Sequence, residues 1–413
     1  MTDKKYQIDT PENRAFLKEQ RDTFLRFGRH FASPGGSAWY LHSDGSPWPE
    51  KNRETFETSR FAHCYSMGLL LGFENSTDLV KAALRGLAGE QKDKEHGGWY
   101  VGLKPDGSPM EGKLCYTHAF SILAGASAVT AGVEGGKELL EEAAAVYDKY
   151  FWDEEAGMAR DVWNTEFTEC DGYRGMNSNM HSVEAFLAAS DATGDEKWRR
   201  RAGRIIERTA ALAEQHDWRL PEHYNSDWVP DLDCNKDRPD DQFKPYGATP
   251  GHGAEWARLI TQWALSAYPG DSEKAQKYIT AAENMFCRSM EDGWNCDGAP
   301  GIVYTTGWDG KPVVHDRMYW VLAEAINTSA TLYRVTGKEK YAQMYADYMK
   351  YLDECVVDYE AGGWYSQLDR SNQLIETVWP GKNDIYHGLQ AMVIPYYKPG
   401  LSIVSAIKEG LEI

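Results

Sequence analysis

The sequence predicts an all-α protein: an (α/α)6 barrel of six helix pairs with short β-like connectors, forming one domain over residues 1–413. Three observations predict it. Segments with helical apolar periodicity alternate along the whole chain, and no strand of useful length interrupts them, which excludes a Rossmann or TIM reading. Short Gly/Trp/Asp-rich connectors recur roughly every 60–75 residues: Asp93–Tyr100, Asp153–Met158 and Asp358–Tyr365, with weaker relatives at Asp217-Trp218 and from Asp292 to Tyr304. Finally, every second helix is apolar on nearly all sides while its neighbours carry charge on one side.

The expected helices are 11–32, 54–72, 76–91, 113–131, 136–151, 179–192, 195–215, 252–267, 271–290, 315–336, 338–356 and 385–397. The fourth (Leu114 to Ala124), the sixth (Met180 to Ala189) and the twelfth (Ile385 to Ile394) are mostly apolar, as an inner ring requires. The seventh opens on Asp195-Glu196-Lys197-Trp198-Arg199-Arg200-Arg201 and the eleventh on Lys338-Glu339-Lys340-Tyr341, as outer helices would. Open stacking would give a solenoid; closure gives the barrel. In a ring of parallel inner helices, the N-terminal ends meet at one mouth.

Composition narrows the function. The chain holds 15 Trp, 24 Tyr and 13 Phe, which suits a deep core, sugar-stacking walls, or both. A net charge of −19 without any Lys/Arg block argues against nucleic acid or an anionic membrane as partner, and solubility alone accounts for it. The seven cysteines are scattered with no C-x-x-C, which reads as free thiols in a reducing compartment. The N-terminal residues show no apolar signal core, and no 18-residue apolar run occurs, so the expected address is the cytoplasm. The sequence leaves the oligomeric state open.

Three histidines stand at matched places. His181 follows Asn177-Ser178-Asn179, His252 follows Thr249-Pro250-Gly251, and His387 follows Asn383-Asp384, each on the expected first turn of an even-numbered helix. The first two have a Glu three residues on, Glu184 and Glu255, on the same helical face. A helix N-terminus disfavours imidazolium, and a neutral imidazole serves as a base near pH 7. Thr249 as N-cap and Pro250 at the first helical position would hold His252 rigidly. A lone histidine of this kind is more often a satisfied local contact; three lining one mouth favour chemistry. A metal held by the two His-x-x-Glu pairs is the lesser reading. Carboxylate-bridged helical bundles use the order Glu-x-x-His, and no acidic inner helix completes the set, so neither metal nor cofactor is expected.

Arg60, on the otherwise apolar second helix, needs a partner: a buried ion pair, or substrate oxygens that its planar fork would clamp. Among the aromatics Trp99, Tyr116, Trp163, Trp256, Trp320, Trp364 and Trp379, most are packing and some would stack on a sugar ring. No Walker, dinucleotide, nucleophile-elbow or zinc-protease motif occurs.

The segments Gly175–Phe186, Thr249–Trp256 and Trp379–His387 resemble the N-acylglucosamine 2-epimerase superfamily, and within it the aldose–ketose isomerase branch of mannose and sulfoquinovose isomerases. The resemblance spans nearly the whole chain. It implies an (α/α)6 barrel, no metal or organic cofactor, a monosaccharide as the small-molecule partner, and acid/base histidines. By motif position it implies functional roles for Arg60, Tyr116, Asn177, His181, His252, Glu255, Trp379 and His387, to which Glu184 and Trp320 are added as substrate contacts. One position departs from the sulfosugar branch: the arginine that meets a sulfonate is replaced by Gln242, a neutral amide that would bond a 6-hydroxyl, with Lys244 two residues on.

The resemblance therefore implies mannose–fructose interconversion. His387 would move a proton from C2 to C1 through a cis-enediol. His252, oriented by Glu255, would open the ring, and Arg60 with His181 would hold O1 and O2. The sequence leaves an exchange of roles between His252 and His387 open. The rival expectations are a sulfoquinovose isomerase, a mannose/glucose 2-epimerase, a glycoside hydrolase using Glu184 and Glu255, and a sugar-binding module without turnover.

Overall fold

A computed structural model describes residues 3–413. The twelve expected helices form: α1 Pro11–Phe27, α2 Thr55–Leu70, α3 Ser76–Ala88, α4 Cys115–Thr130, α5 Gly136–Val146, α6 Met176–Thr193, α7 Glu196–Gln215, α8 Pro250–Ala267, α9 Ser272–Gly293, α10 Tyr319–Thr336, α11 Glu339–Tyr351 and α12 Tyr386–Val393. An unexpected short helix, α13 (Ile403–Lys408), follows. Helix α2 touches α4, α4 touches α6, and so on through α8 and α10 to α12, which returns to α2. Behind this ring α3, α5, α7, α9 and α11 each back the inner helix before them, and α1 backs α12. The ring is closed and the (α/α)6 expectation holds.

The two helix classes follow from their residues. Outer α7 buries Trp198, Ala202, Ile205, Ile206, Thr209 and Ala213, a stripe at helical spacing, and turns its arginines outward. It starts on the Asp195 carboxylate, which accepts from Lys197 N at 2.9 Å; α9 starts likewise on Asp271, accepting from Lys274 N at 3.1 Å. Inner helices are buried along most of their length and carry no side-chain cap. Their first N–H groups are met by backbone instead. Thr55 N donates to Val101 O (3.0 Å), Cys115 N to Asp161 O (2.8 Å), Met176 N to Glu222 O (2.9 Å) and Tyr319 N to Ser366 O (3.1 Å). In each case the carbonyl lies in the connector after the next outer helix, where two-stranded ladders such as Arg53–Glu54 with Gly102–Leu103 hold it in register. For α8, Ala248 and Thr306 exchange both backbone bonds.

The repeated connector motif has a shared geometry. Asp93 Oδ1 accepts from Glu95 N and His96 N at 3.0 and 3.1 Å, and Asp358 Oδ1 accepts from Glu360 N and Ala361 N, both at 3.0 Å. The second oxygen takes a buried lysine that leads into the following inner helix: Lys113 Nζ on Asp93 at 2.7 Å, Lys382 Nζ on Asp358 at 2.6 Å. Asp153 repeats the turn, with Arg160 as its cation at 3.0 Å. Close helix contact matters at one glycine: a Cβ on Gly388 would run into the Phe24 ring, so only glycine lets α12 lie this close to α1, one residue from His387.

Two boundaries shift the expected site. Helix α6 begins at Met176 rather than 179, which puts His181 in the second turn. Thr249 holds the N-cap place of α8, but its hydroxyl makes no bond to the helix. All seven cysteines are free, and among the described residues no helix is long and apolar enough to cross a membrane.

Candidate functional site

The N-terminal ends of the inner helices surround a cavity. Its wall includes Arg60 (α2), Tyr116 (α4), Asn177 and His181 (α6), His252 and Glu255 (α8), Trp320 (α10), Trp379 and His387, with Gln242 from the long connector before α8. Every residue singled out for a site role is here except Glu184. One turn deeper than His181, Glu184 lies beneath the floor, accepts from the Tyr386 hydroxyl, and takes Gln390 Nε2 at 3.3 Å. The helical repeat that puts it on the His181 face also carries it below the cavity.

Two imidazoles are built alike. His252 Nδ1 meets Glu222 Oε2 at 2.6 Å, and His387 Nδ1 meets Glu324 Oε1 at 2.9 Å, all four side chains being buried. With Nδ1 on a carboxylate, Nε2 is left as the working nitrogen. Trp320 lies between the rings, its centroid 4.9 Å from that of His252 and 5.8 Å from that of His387. The expected pairing of His252 with Glu255 does not form. His252 turns instead to the connector's Glu222, and Glu255 faces His181, with 3.8 Å between Oε1 and Nδ1.

Below the histidines is a charged layer. Arg258 Nε donates to Glu324 Oε2 at 3.0 Å, and its Nη2 lies 3.6 Å from Glu255 Oε1. Burial opposes charge on Glu324, but Arg258 and His387 hold its carboxyl below the usual range. Glu255 shows the reverse: burial, then the neighbouring Glu324 charge, push it well above that range. Burial lowers His181 to about 4 and lowers His387 despite Glu324, so both rings are neutral at pH 7.

The buried ion pair expected of Arg60 forms. Its Nη1 pairs with Asp384 Oδ2 at 2.5 Å and its Nη2 donates to the Tyr116 hydroxyl at 2.8 Å, while the guanidinium borders the cavity. Asp384 also accepts from the Tyr319 hydroxyl (2.8 Å) and from Tyr386 N (2.9 Å), the first residue of α12. Several buried polar atoms of wall residues have no protein partner: Asn177 Oδ1, Trp379 Nε1, His181 Nδ1 and both Glu255 oxygens.

Glu222, Glu324, Arg258 and Asp384 were not singled out in sequence. For Glu324 and Arg258 a signal existed, since each is a charge on an inner, otherwise apolar helix. Glu222 lies in a connector, where nothing distinguishes it. Among the described residues, His181 with Glu184 and Glu255, and His387 with Glu255 and Glu324, come close enough to resemble metal ligand sets. The Arg258 guanidinium between these carboxylates already supplies the positive charge that a metal would bring.

Comparison with known proteins adds to this geometry. Residues 35–391 match the family model of N-acylglucosamine 2-epimerase (GlcNAc 2-epimerase). The chain is 40% identical over 399 residues to a D-mannose isomerase of Thermobifida fusca, covering 96% of this chain and 97% of that one. It is 37% identical over 354 residues to a D-mannose isomerase of Pseudomonas cannabina pv. alisalensis, covering 86% and 85%. A crystal structure of a D-mannose isomerase superposes with a TM-score of 0.85 at 25% identity, over 94% of this chain and 99% of that one.

Proposed function

The chain belongs to the N-acylglucosamine 2-epimerase family, and from that premise we propose that it is a sugar isomerase interconverting D-mannose and D-fructose in the cytoplasm, as a single catalytic domain needing neither metal nor cofactor. One observation carries the chemistry: two buried histidines, each with Nδ1 on its own carboxylate, flank one indole at the wall of a polar cavity. One acts on carbon, the other on oxygen.

In the open aldose, His387 Nε2 takes the C2 proton, and the electron pair moves to O1 to give a cis-enediolate. Charge forming on O1 and O2 is met by Arg60, a fixed cationic donor, with His181 and Glu255 beside it. O1 gains a proton and O2–H gives one up through His252. The imidazolium of His387 then returns its proton to C1, leaving the ketose. Atoms and charge balance, as an isomerisation requires. Before this, His252 protonates the ring oxygen and draws the anomeric hydroxyl proton, opening the pyranose. Tyr116, Asn177, Trp320 and Trp379 line the sugar, and Gln242 bonds its far hydroxyl.

The charge of the wall favours a neutral hexose. Among the described residues, Arg60 is the one cation on it and is already paired with Asp384. Lys244 does not compensate for Gln242: its Nζ sits 3.7 Å from the centre of the Tyr173 ring, off the wall. The decisive experiment incubates the protein with mannose in D2O and identifies the product. Fructose is expected, with deuterium at C1 only in the fraction of turnovers in which the His387 imidazolium exchanges with solvent before returning its proton; glucose as the sole product would replace the isomerase with an epimerase, and no turnover would leave only a binding module.

A further inference from the structure

The barrel is closed at its other end by the C-terminal segment. Helix α13 packs on α2, α4 and α6, and residues 397–402 lead into it across the ends of the inner helices. Between this plug and the charged layer lies a second cavity, comparable in size to the catalytic one. Glu184 and Arg258 form its roof, His63 and Gln390 part of its wall, and Arg334 and Lys398 complete the lining on the plug side.

The polar atoms here are unusual. His63 ties Nδ1 to Ser127 Oγ at 2.7 Å, but its Nε2 has no partner. Gln390 donates to Glu184 and leaves Oε1 unmet, Arg334 Nε has no hydrogen-bond acceptor, and Arg258 Nη2 has only the ion-pair contact with Glu255 at 3.6 Å. His63, Gln390 and Arg258 are 2%, 0% and 4% exposed, so bulk water does not satisfy these atoms. Arg334 is fixed from outside, with Nη1 on Asp9 at 2.8 Å and Nη2 on the Pro395 carbonyl at 3.1 Å, which holds its Nε edge in place. Lys398 stands exposed at the rim. Among the described residues, Arg258, Arg334 and Lys398 line this space with one carboxylate, Glu184; Arg258 is paired with Glu324 and Arg334 with Asp9, which leaves Lys398 as the cation without an ion-pair partner. Burial lowers His63 to about 4, so it joins as a neutral ring offering one further polar atom.

We propose that this closed-end cavity is a second binding site, separate from the sugar cavity, for a small oxyanion of the phosphate or carboxylate type. The guanidinium edges of Arg258 and Arg334 and the Lys398 ammonium supply charge-assisted donors, and Gln390 Oε1 accepts from a hydroxyl or a protonated oxygen of the ligand. The site does not depend on the proposed reaction.

The test uses the full chain and inorganic phosphate, titrated by calorimetry at constant ionic strength, with acetate as a second probe to distinguish the two anion types. Saturable binding of one anion per chain is expected for at least one probe. Lys398→Ala and Arg334→Gln should each weaken it about tenfold, the loss of one charge-assisted contact. Lys398→Ala changes an exposed side chain, and an unshifted melting curve in anion-free buffer verifies its fold. Saturating mannose should not displace the anion. No saturable binding of either probe, equal affinity in both variants, or displacement by mannose would each overturn the proposal; failure of mannose turnover alone would not.

Discussion

At the scale of the residue, each working histidine is set by a carboxylate distant in sequence. General acid–base groups typically contribute about 10²–10⁴-fold in rate. His252→Ala and His387→Ala should each lower kcat by that order with the melting temperature nearly unchanged; near-normal turnover in either would remove it from the mechanism. Glu324→Gln makes a finer test. The Glu324 carboxylate favours the imidazolium of His387, so its removal lowers the pKa of a base already lowered by burial. Activity that needs the free base falls as pH drops through that pKa. The acid limb of the kcat profile should therefore move to lower pH in the variant, together with a drop in kcat from lost orientation; a limb moving upward would refute the pairing. Sequence showed the histidines because their cap-like surroundings repeat. It mispaired His252, because Glu255 is close along the helix while Glu222 arrives from a connector that no local pattern links to it.

Helices and connectors were unequally legible. The apolar inner and charged outer helices are written in composition, so all twelve could be placed, and α1 ran short of its expected end only because a single 3-10 turn, Gly28–His30, breaks it. Helix α13 carries six residues, too few for periodicity to register. The connectors announced themselves as a repeat, but their purpose emerged only with Lys113 and Lys382 seen on the aspartates. These pairs are buried, Lys113 and Asp93 being 0% and 1% exposed in their side chains. Burial works against the Asp93 charge, yet Lys113 and two amides hold its pKa at about 2. Removing one partner strands the other, at a cost of about 3–5 kcal/mol. Lys113→Met should thus cause a large loss in unfolding free energy by denaturant titration. Lys236→Met, breaking the exposed pair with Asp233, should leave it nearly unchanged. Equal effects would mean that the connector pair does not anchor α4.

For the whole molecule, buried neutral histidines set the response to acid. His118 accepts from Trp99 N at 3.2 Å and bonds the Leu114 carbonyl at 2.7 Å, and burial lowers it to about 3. Its unfolded value is near 6.5. Between those limits the unfolded chain binds a proton that the folded one refuses, so stability falls as pH falls, by up to about 1.4 kcal/mol per pH unit. The slope of unfolding free energy against pH between 6 and 4 should drop by about one proton in His118→Gln; an unchanged slope would show that the ring is not held neutral. The closed ring itself followed from the alternation of helix types, whereas the plug over its far end did not, since nothing in residues 397–413 signals what they cover. The backbone caps have a consequence for opening. The amides of Thr55, Cys115, Met176 and Tyr319 donate to carbonyls contributed by the following repeat. No single helix pair can therefore fray without disturbing its neighbour, and because the last inner helix meets the first, the disturbance has no end at which to stop. In native-state deuterium exchange these four amides should be among the slowest, released in one concerted event rather than sector by sector.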